Sequence, residues 1–536
     1  MKSRKLRTLL LSFNLLIFAP YFFLFSTAPA AEEPADPAVK AAEEELEAWR
    51  LSEAERLIAQ LARNQPKSAE ALDLQAWLAF YQGHYEEALN IVEKSLALEP
   101  AKEPRQGLRI LTQRTRDTVK KLKAYESTHF VVYLDATRDE ILAPLALATL
   151  EKTYDALGEV FGYRPQAKVR VEIAPDVQSF NAISTLSLRD IEETGAVGIC
   201  KFNKIMTISP RALLQGYRWL DSLSHEYVHY VIVAVSRNKA PIWLHEGLAR
   251  FYETLWRNQD KTQGKPDYLT VPNETLLARA LEQDEFVGFK KMEPSLIYLE
   301  TPEQVQLAYA EAASAVDFMV GRKGSDGIRR LMSELRQKPT PQAIETVLET
   351  SYGEFESQWK GFLKAKGLKP TDGSRVRKLK VRGEKDEEET VELKEIQSAV
   401  ARNRAHLGDR MRERGRFAAA TQEYRRALQA SPHSTIILNK LARALIQMNQ
   451  SEEALSHLKE AERLAPDNVT TLVLLGRAHQ TTKNYRAARG ALEAATQINP
   501  FDPTIYQILY DAETALGETA RAQQAKATLE KLMRAR

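Results

Sequence analysis

Cysteine is nearly absent: the 536-residue chain has one, Cys200. A single thiol excludes an intramolecular disulfide framework and any cysteine-based zinc cluster. Cys200 itself reads as a small buried apolar residue. Excess charge of either sign is also missing. The 75 Lys and Arg nearly balance 72 Asp and Glu, leaving +3, which excludes nucleic-acid binding by bulk electrostatics. No cysteine closely follows the N-terminal apolar run, so a lipid-modified N-terminus is not supported. What is present, 44% apolar and 27% charged residues, is the composition of soluble globular material. The length suits about three or four domains.

The first 31 residues read as an export signal. Lys2, Arg4, Lys5 and Arg7 form a basic start, Leu9 to Phe25 an apolar run broken by Asn14 and Pro20, and Ala28-Pro29-Ala30-Ala31 a small-residue cleavage site. The competing reading is an uncleaved membrane anchor, because the run is near the short limit for a span. Either way the basic flank stays inside and the remainder is exported, to a periplasmic or extracellular space.

Two stretches repeat. In 32–124, after a linker expected to be disordered over 32–40, Pro66 and Pro100 stand 34 residues apart, as do Ala54 and Ala88. Trp77, Gly83 and Tyr85 fall between them, and 104–124 reads as one more basic helix. In 393–536 the period is clearer. Pro432, Pro466 and Pro500 recur at 34, as do Ala420, Ala454, Ala488 and Ala522, and Leu407, Leu441, Leu475 and Leu509. Gly408, Ala442 and Gly476 follow the leucines. Tyr424, Leu458 and Leu492 take the large position of each second helix. This pattern resembles the tetratricopeptide repeat, a helix-turn-helix unit whose small residues admit close helix approach. The resemblance implies all-α solenoids that engage a protein partner. The charged segment between, 369–392, reads as a solvated hinge.

The block 125–368 has another texture. Phe130 to Leu134 and Lys168 to Ile173 predict strands. Residues 137–162 predict a helix with Leu147, Leu150, Tyr154, Leu157 and Phe161 on its apolar face. Gly195 to Cys200 and Lys204 to Ile208 predict a hairpin. After Pro210 the pattern is helical to about Gly367, and Phe355, Trp359 and Phe362 predict a core stripe. This is an α+β block, a sheet followed by helices.

Those helices carry the chemistry. His225-Glu226-Tyr227-Val228-His229 puts two imidazoles four residues apart, on one helical face, where both can bind one ion. Glu226 lies beside the pair and is suited to take a proton from an activated water. A third ligand is expected from a second helix opened by Pro241, in Trp243-Leu244-His245-Glu246-Gly247-Leu248-Ala249. Glu246 is favoured over its neighbour His245, since adjacent residues do not share a helical face. Nitrogen and carboxylate ligands suit zinc, and three of them leave an open catalytic position.

These two motifs resemble the gluzincin metallopeptidases, the peptidase MA-like group, and the second is closest to the aminopeptidase N type. The resemblance covers about 125–368 and implies a thermolysin-like fold. It implies that His225, His229 and Glu246 are zinc ligands, that Glu226 is the catalytic base, and that Tyr309, in Leu307-Ala308-Tyr309-Ala310-Glu311, donates to the tetrahedral oxyanion. One departure matters. The stretch Gly195-Ala196-Val197-Gly198-Ile199 lacks the glutamate with which aminopeptidase N relatives hold a free amine. An endopeptidase or a peptidase of unknown polarity fits better, with an extended peptide pairing on the edge strand. Asp221 and Glu253 are candidates to orient the ligating histidines, or are plain surface carboxylates.

The expectation is therefore a multidomain protein with an α+β thermolysin-like zinc peptidase domain between all-α tetratricopeptide-repeat solenoids. It would hydrolyse peptide or protein substrates. It would have no nucleic-acid partner, and would meet a membrane only if 1–31 is retained. The rival expectation is a repeat scaffold for cell-envelope protein assembly with a silent or structural zinc domain.

Overall fold

The computed structural model describes residues 36–100, 103–257, 267–296, 299–374, 379–383 and 388–534. The expected export signal, 1–31, lies outside them. No helix among the described residues is long and apolar enough to cross a membrane.

Five helices open the described chain: Pro37–Glu47, Leu51–Asn64, Ala69–Tyr81, Tyr85–Leu98 and Glu103–Val119. The first corrects the expected disordered linker over 36–40; the remainder of that linker, 32–35, lies outside the described residues. Asp36 accepts a hydrogen bond from the Ala38 amide and Pro37 takes the first helical position, a strong start signal. The basic helix expected over 104–124 also ends early, at Val119. Residues Lys123–Glu126 form strand β1 instead, so the sheet begins before residue 125.

The sheet has five strands: β1 (Lys123–Glu126), β2 (Phe130–Leu134), β3 (Val169–Ala174), β4 (Gly198–Lys201) and β5 (Lys204–Ile208). Their spatial order is β1-β2-β3-β5-β4. The pairs β2–β3 and β3–β5 are parallel, while β1–β2 and β4–β5 are antiparallel. The helix Leu142–Phe161 makes the β2–β3 crossover and buries Leu150, Leu157 and Phe161, with Leu147 half-buried. Every residue of β5 is buried, as its place inside the sheet requires.

The N-terminal helices grip this sheet at two points. Phe202 and Asn203, both in the left-handed region, make the two-residue turn between β4 and β5. The Phe202 ring inserts among Trp77, Phe80 and Tyr81, with centroids 5.2–5.9 Å away. The second grip is ionic. Glu172 on β3, fully buried, accepts from Lys204 Nζ at 2.8 Å, Arg170 Nε at 2.7 Å and Tyr85 Oη at 2.6 Å. Burial alone would push this carboxyl up. The Lys204 and Arg170 charges outweigh burial and hold it down to about 2.

Beyond Pro210 the described chain is helical. The helices Trp219–Ser236 and Ile242–Tyr252 (hereafter the first and second metal helices) pack on each other and on the long helix Pro302–Leu335. In the helix Tyr352–Ala365, Phe355 and Trp359 are buried as expected. Leu363 completes the stripe, and Phe362 is half-buried beside it.

Four helix pairs close the chain: Ala399–Glu413 with Phe417–Ala430, Thr435–Gln447 with Ser451–Leu464, Val469–Thr481 with Tyr485–Thr496, and Pro503–Ala515 with Thr519–Arg534. A Cβ on Gly408 would lie 2.5 Å from the Tyr424 ring, and one on Gly476 2.6 Å from Leu492. The periodic small residue is thus the seat for the large residue of the second helix. The segment 369–392 is not simply a hinge. Val381 bridges Leu213, the Leu214 amide donates to Lys380 O and the Arg382 amide donates to Ala212 O. The sequence pattern hid this because charged residues can still pair through their backbones.

Candidate metal centre

The first metal helix carries no proline, and it buries Leu223, Val228, Val231, Ile232 and Val235 against its surroundings. That packing fixes its rotation, so His225 and His229 project together. Their Nε2 atoms stand 3.1 Å apart. Glu246 comes from the second metal helix, and its Oε2 lies 3.4 Å from His225 Nε2 and 3.6 Å from His229 Nε2. The position of Glu246 depends on its neighbour. A Cβ on Gly247 would lie 2.5 Å from the Ala312 carbonyl oxygen, so only glycine lets this helix rest on the long helix there.

The three donor atoms fit a small divalent ion. Tetrahedral zinc with bonds of about 2.0–2.1 Å sets neighbouring donors about 3.3 Å apart, close to the three edges seen. Glu246 Oε2 is buried without a hydrogen-bond partner, which is costly for a polar atom unless something binds it. Burial would raise the Glu246 pKa, but the neighbouring His229 and His225 hold it well below the usual carboxylate range.

His225 Nδ1 meets Glu253 Oε2 at 3.0 Å, and Glu253 Oε1 accepts from Arg250 at 2.8 Å. Glu253 is 8% exposed, so it is no surface carboxylate. It fixes the His225 ring and raises its basicity. Asp221 is buried too, but it turns elsewhere: it accepts from Trp256 Nε1 at 3.2 Å and from Arg257. His245 is outside the donor triangle. Its Nδ1 faces His229 Nδ1 at 3.4 Å, and burial pushes its pKa down to about 3, leaving it neutral.

Glu226 is 6% exposed and stands against β4. It accepts the Cys200 backbone amide, and burial raises its pKa. Gly198 leaves it room: a Cβ there would lie 2.6 Å from Glu226 Oε1. The strand position that departs from the aminopeptidase N pattern is therefore filled by the Glu226 carboxylate. Cys200 is half-buried, packed against the core with this carboxylate nearby. Tyr309 is half-buried within electrostatic range of Glu246, Glu226, Glu253 and Arg250. Burial raises its pKa, so it keeps its proton. Its hydroxyl makes no hydrogen bond among the described residues.

Arg250 was not legible as part of this centre. It lies one turn after Glu246, and the i+4 spacing is the signal that would have found it.

Family models for the tetratricopeptide repeat match residues 411–461 and 439–503. The C-terminal helix pairs there are tetratricopeptide repeats. Over 118 residues the chain is 31% identical to the BBSome complex member BBS4 of Mus musculus. That match covers 22% of this chain and 23% of the relative's length. Among solved structures, MamA is 26% identical with a TM-score of 0.23, covering 23% of this chain and 73% of that one. The tetratricopeptide-repeat domain of P58(IPK) is 11% identical with a TM-score of 0.21, covering 90% of this chain and 98% of that one. Likenesses at such scores carry no argument for the molecule as a whole.

Proposed function

We propose that this chain is an exported zinc-dependent peptidase of the gluzincin type, with a thermolysin-like catalytic block and tetratricopeptide repeats that engage protein. The observation that carries the reading is the donor triangle of His225, His229 and Glu246, with edges of 3.1–3.6 Å and one orphaned carboxylate oxygen. Bound there, zinc would supply Lewis acidity toward a carbonyl and lower the pKa of a water to ~7. The rest falls to the protein. Glu226 takes the proton of the attacking water on its carboxylate and delivers it to the leaving nitrogen. Tyr309, protonated and unpartnered, donates to the developing oxyanion. β4, at the sheet edge, pairs with an extended substrate, and Gly198 leaves no amine anchor, which favours internal cleavage. Digestion of a peptide library tests the reading: cleavage should stop with a zinc chelator and return with zinc. Cleavage that persists in chelator would sink it.

A second reading keeps the repeats as the working part and the zinc block as silent support. The match of residues 411–503 to repeat families favours it, since such stacks offer extended concave surfaces for protein. Capture of a protein partner by the full chain, unchanged in Glu226→Gln and unaccompanied by any cleavage, would select it.

A further inference from the structure

The first metal helix begins without a cap of its own. Its N-cap, Arg218, makes no side-chain capping bond, although the leading amides of a helix need acceptors. The C-terminal repeats provide one of them, for the Trp219 amide, and hold the segment that leads into the helix. The Trp219 amide is shared between Tyr217 O at 2.7 Å and Gln497 O at 3.2 Å, and the Tyr217 amide donates to Ile498 O at 3.1 Å. The Trp219 indole donates to Thr496 O at 3.1 Å, and Arg218 donates to Pro466 O at 3.1 Å. These carbonyls belong to turns that follow the second helices of two successive repeats. The approach is close: a Cβ on Gly216 would lie 2.2 Å from Ile498 O. Arg211 adds a cation-π contact with Phe501 at 4.0 Å.

The same segment reaches the other wall of the cleft. Tyr217 Oη donates to the Ile208 carbonyl and lies 2.8 Å from Thr207 Oγ1 on β5, and Thr207 Oγ1 donates to Val197 O at 3.0 Å. Val197 precedes Gly198, the residue against which Glu226 lies. A chain of direct contacts therefore runs from the repeat turn through Tyr217 to the strand beside the base. A second runs through Trp219 to the helix that carries His225 and His229.

We propose that the C-terminal repeat array is a positioning element of the metal centre, acting through the contacts of Tyr217 and Trp219. The array would then tune the centre rather than only recruit to it. The proposal rests on the zinc reading for its effect on metal, but not for the capping itself.

The test uses the full-length chain. Trp219→Phe removes the indole bond to Thr496 O and keeps a ring in place, and Gly216→Ala, at a glycine with positive φ, forces a methyl against the Ile498 carbonyl. Leu458→Ala, at a fully buried site in the array core, is the control for loss of stability alone. Three quantities are read: zinc affinity by chelator competition, the absorption spectrum of the cobalt-loaded protein, and hydrogen exchange of amides 219–225. Both cap variants should exchange faster at 219–225, shift the cobalt spectrum and bind zinc about tenfold more weakly, the usual effect of losing support behind a ligand. Leu458→Ala should lower the melting temperature without those changes. Unchanged exchange and affinity in the cap variants, or the same changes in Leu458→Ala, would overturn the proposal. If Gly216→Ala does not fold, Trp219→Phe decides alone. If wild type binds neither metal, the zinc reading fails, and the exchange arm still decides whether the array caps the helix.

Discussion

Gly198→Ala offers a way to move the base without touching the ligands. Gly198 sits in β4 with no left-handed backbone, so alanine is allowed there. The new Cβ would meet Glu226 Oε1 at 2.6 Å, Cγ at 2.9 Å and Cδ at 3.0 Å. All three belong to a flexible side chain, so Glu226 gives way rather than the strand. Opening the closest contact from 2.6 Å to the 3.4 Å of ordinary packing displaces the carboxylate by about 0.8 Å. A misplacement near 1 Å costs on the order of a hundredfold in rate, while mild overpacking costs about 1 kcal/mol in stability. The three atoms nearest the new methyl all belong to Glu226 rather than to His225, His229 or Glu246, so zinc should stay stoichiometric. The assay is turnover of a fluorogenic peptide pool, beside metal content and urea denaturation of the same preparation. Turnover should fall about a hundredfold with zinc retained. Full turnover would refute the placement of Glu226 as the base, and loss of zinc would refute the claim that the perturbation is local.

Other substitutions test neighbouring parts of the account. Glu253→Gln, which weakens the hold on the His225 ring, should cost about 10–100-fold in zinc affinity, read by chelator competition. Gly247→Ala drives a methyl onto the backbone carbonyl of Ala312, and denaturation should show a loss of about 1–3 kcal/mol. Glu172→Leu strands the buried Lys204 ammonium and should cost about 3–5 kcal/mol at neutral pH. Because the folded pKa of Glu172 is lowered to about 2, from an ordinary 4.5, its stabilisation is present above the ordinary value. It is lost as pH falls toward the folded one. The stability gap between wild type and Glu172→Gln should therefore narrow from pH 4.5 down to 2, and a gap constant over that window would contradict the pairing.

Much of this was legible because periodic patterns carry it. The 34-residue spacing of alanine, leucine and proline fixed the helix pairs, and the four-residue spacing of His225 and His229 fixed their common face. Residues whose role arises from contacts between distant segments were not legible. Glu253 and Asp221 read alike as candidates to orient a histidine or as surface carboxylates, until the second metal helix turns Glu253 toward His225. Gly198 reads as a gap in a pattern until Glu226 is seen against it. Lys380 to Arg382 read as solvated charge, because side-chain polarity says nothing of where backbone amides pair. Gly216 and Trp219 carry no motif, and their meaning depends on a turn nearly three hundred residues further along.

The most direct test of the central claim is zinc content with peptide turnover in wild type and Glu226→Gln, measured on one preparation of each. One zinc per chain in both proteins, with hydrolysis in wild type alone, is the predicted result. A wild type that holds no zinc, or a Glu226→Gln variant that cleaves as fast as wild type, would contradict it.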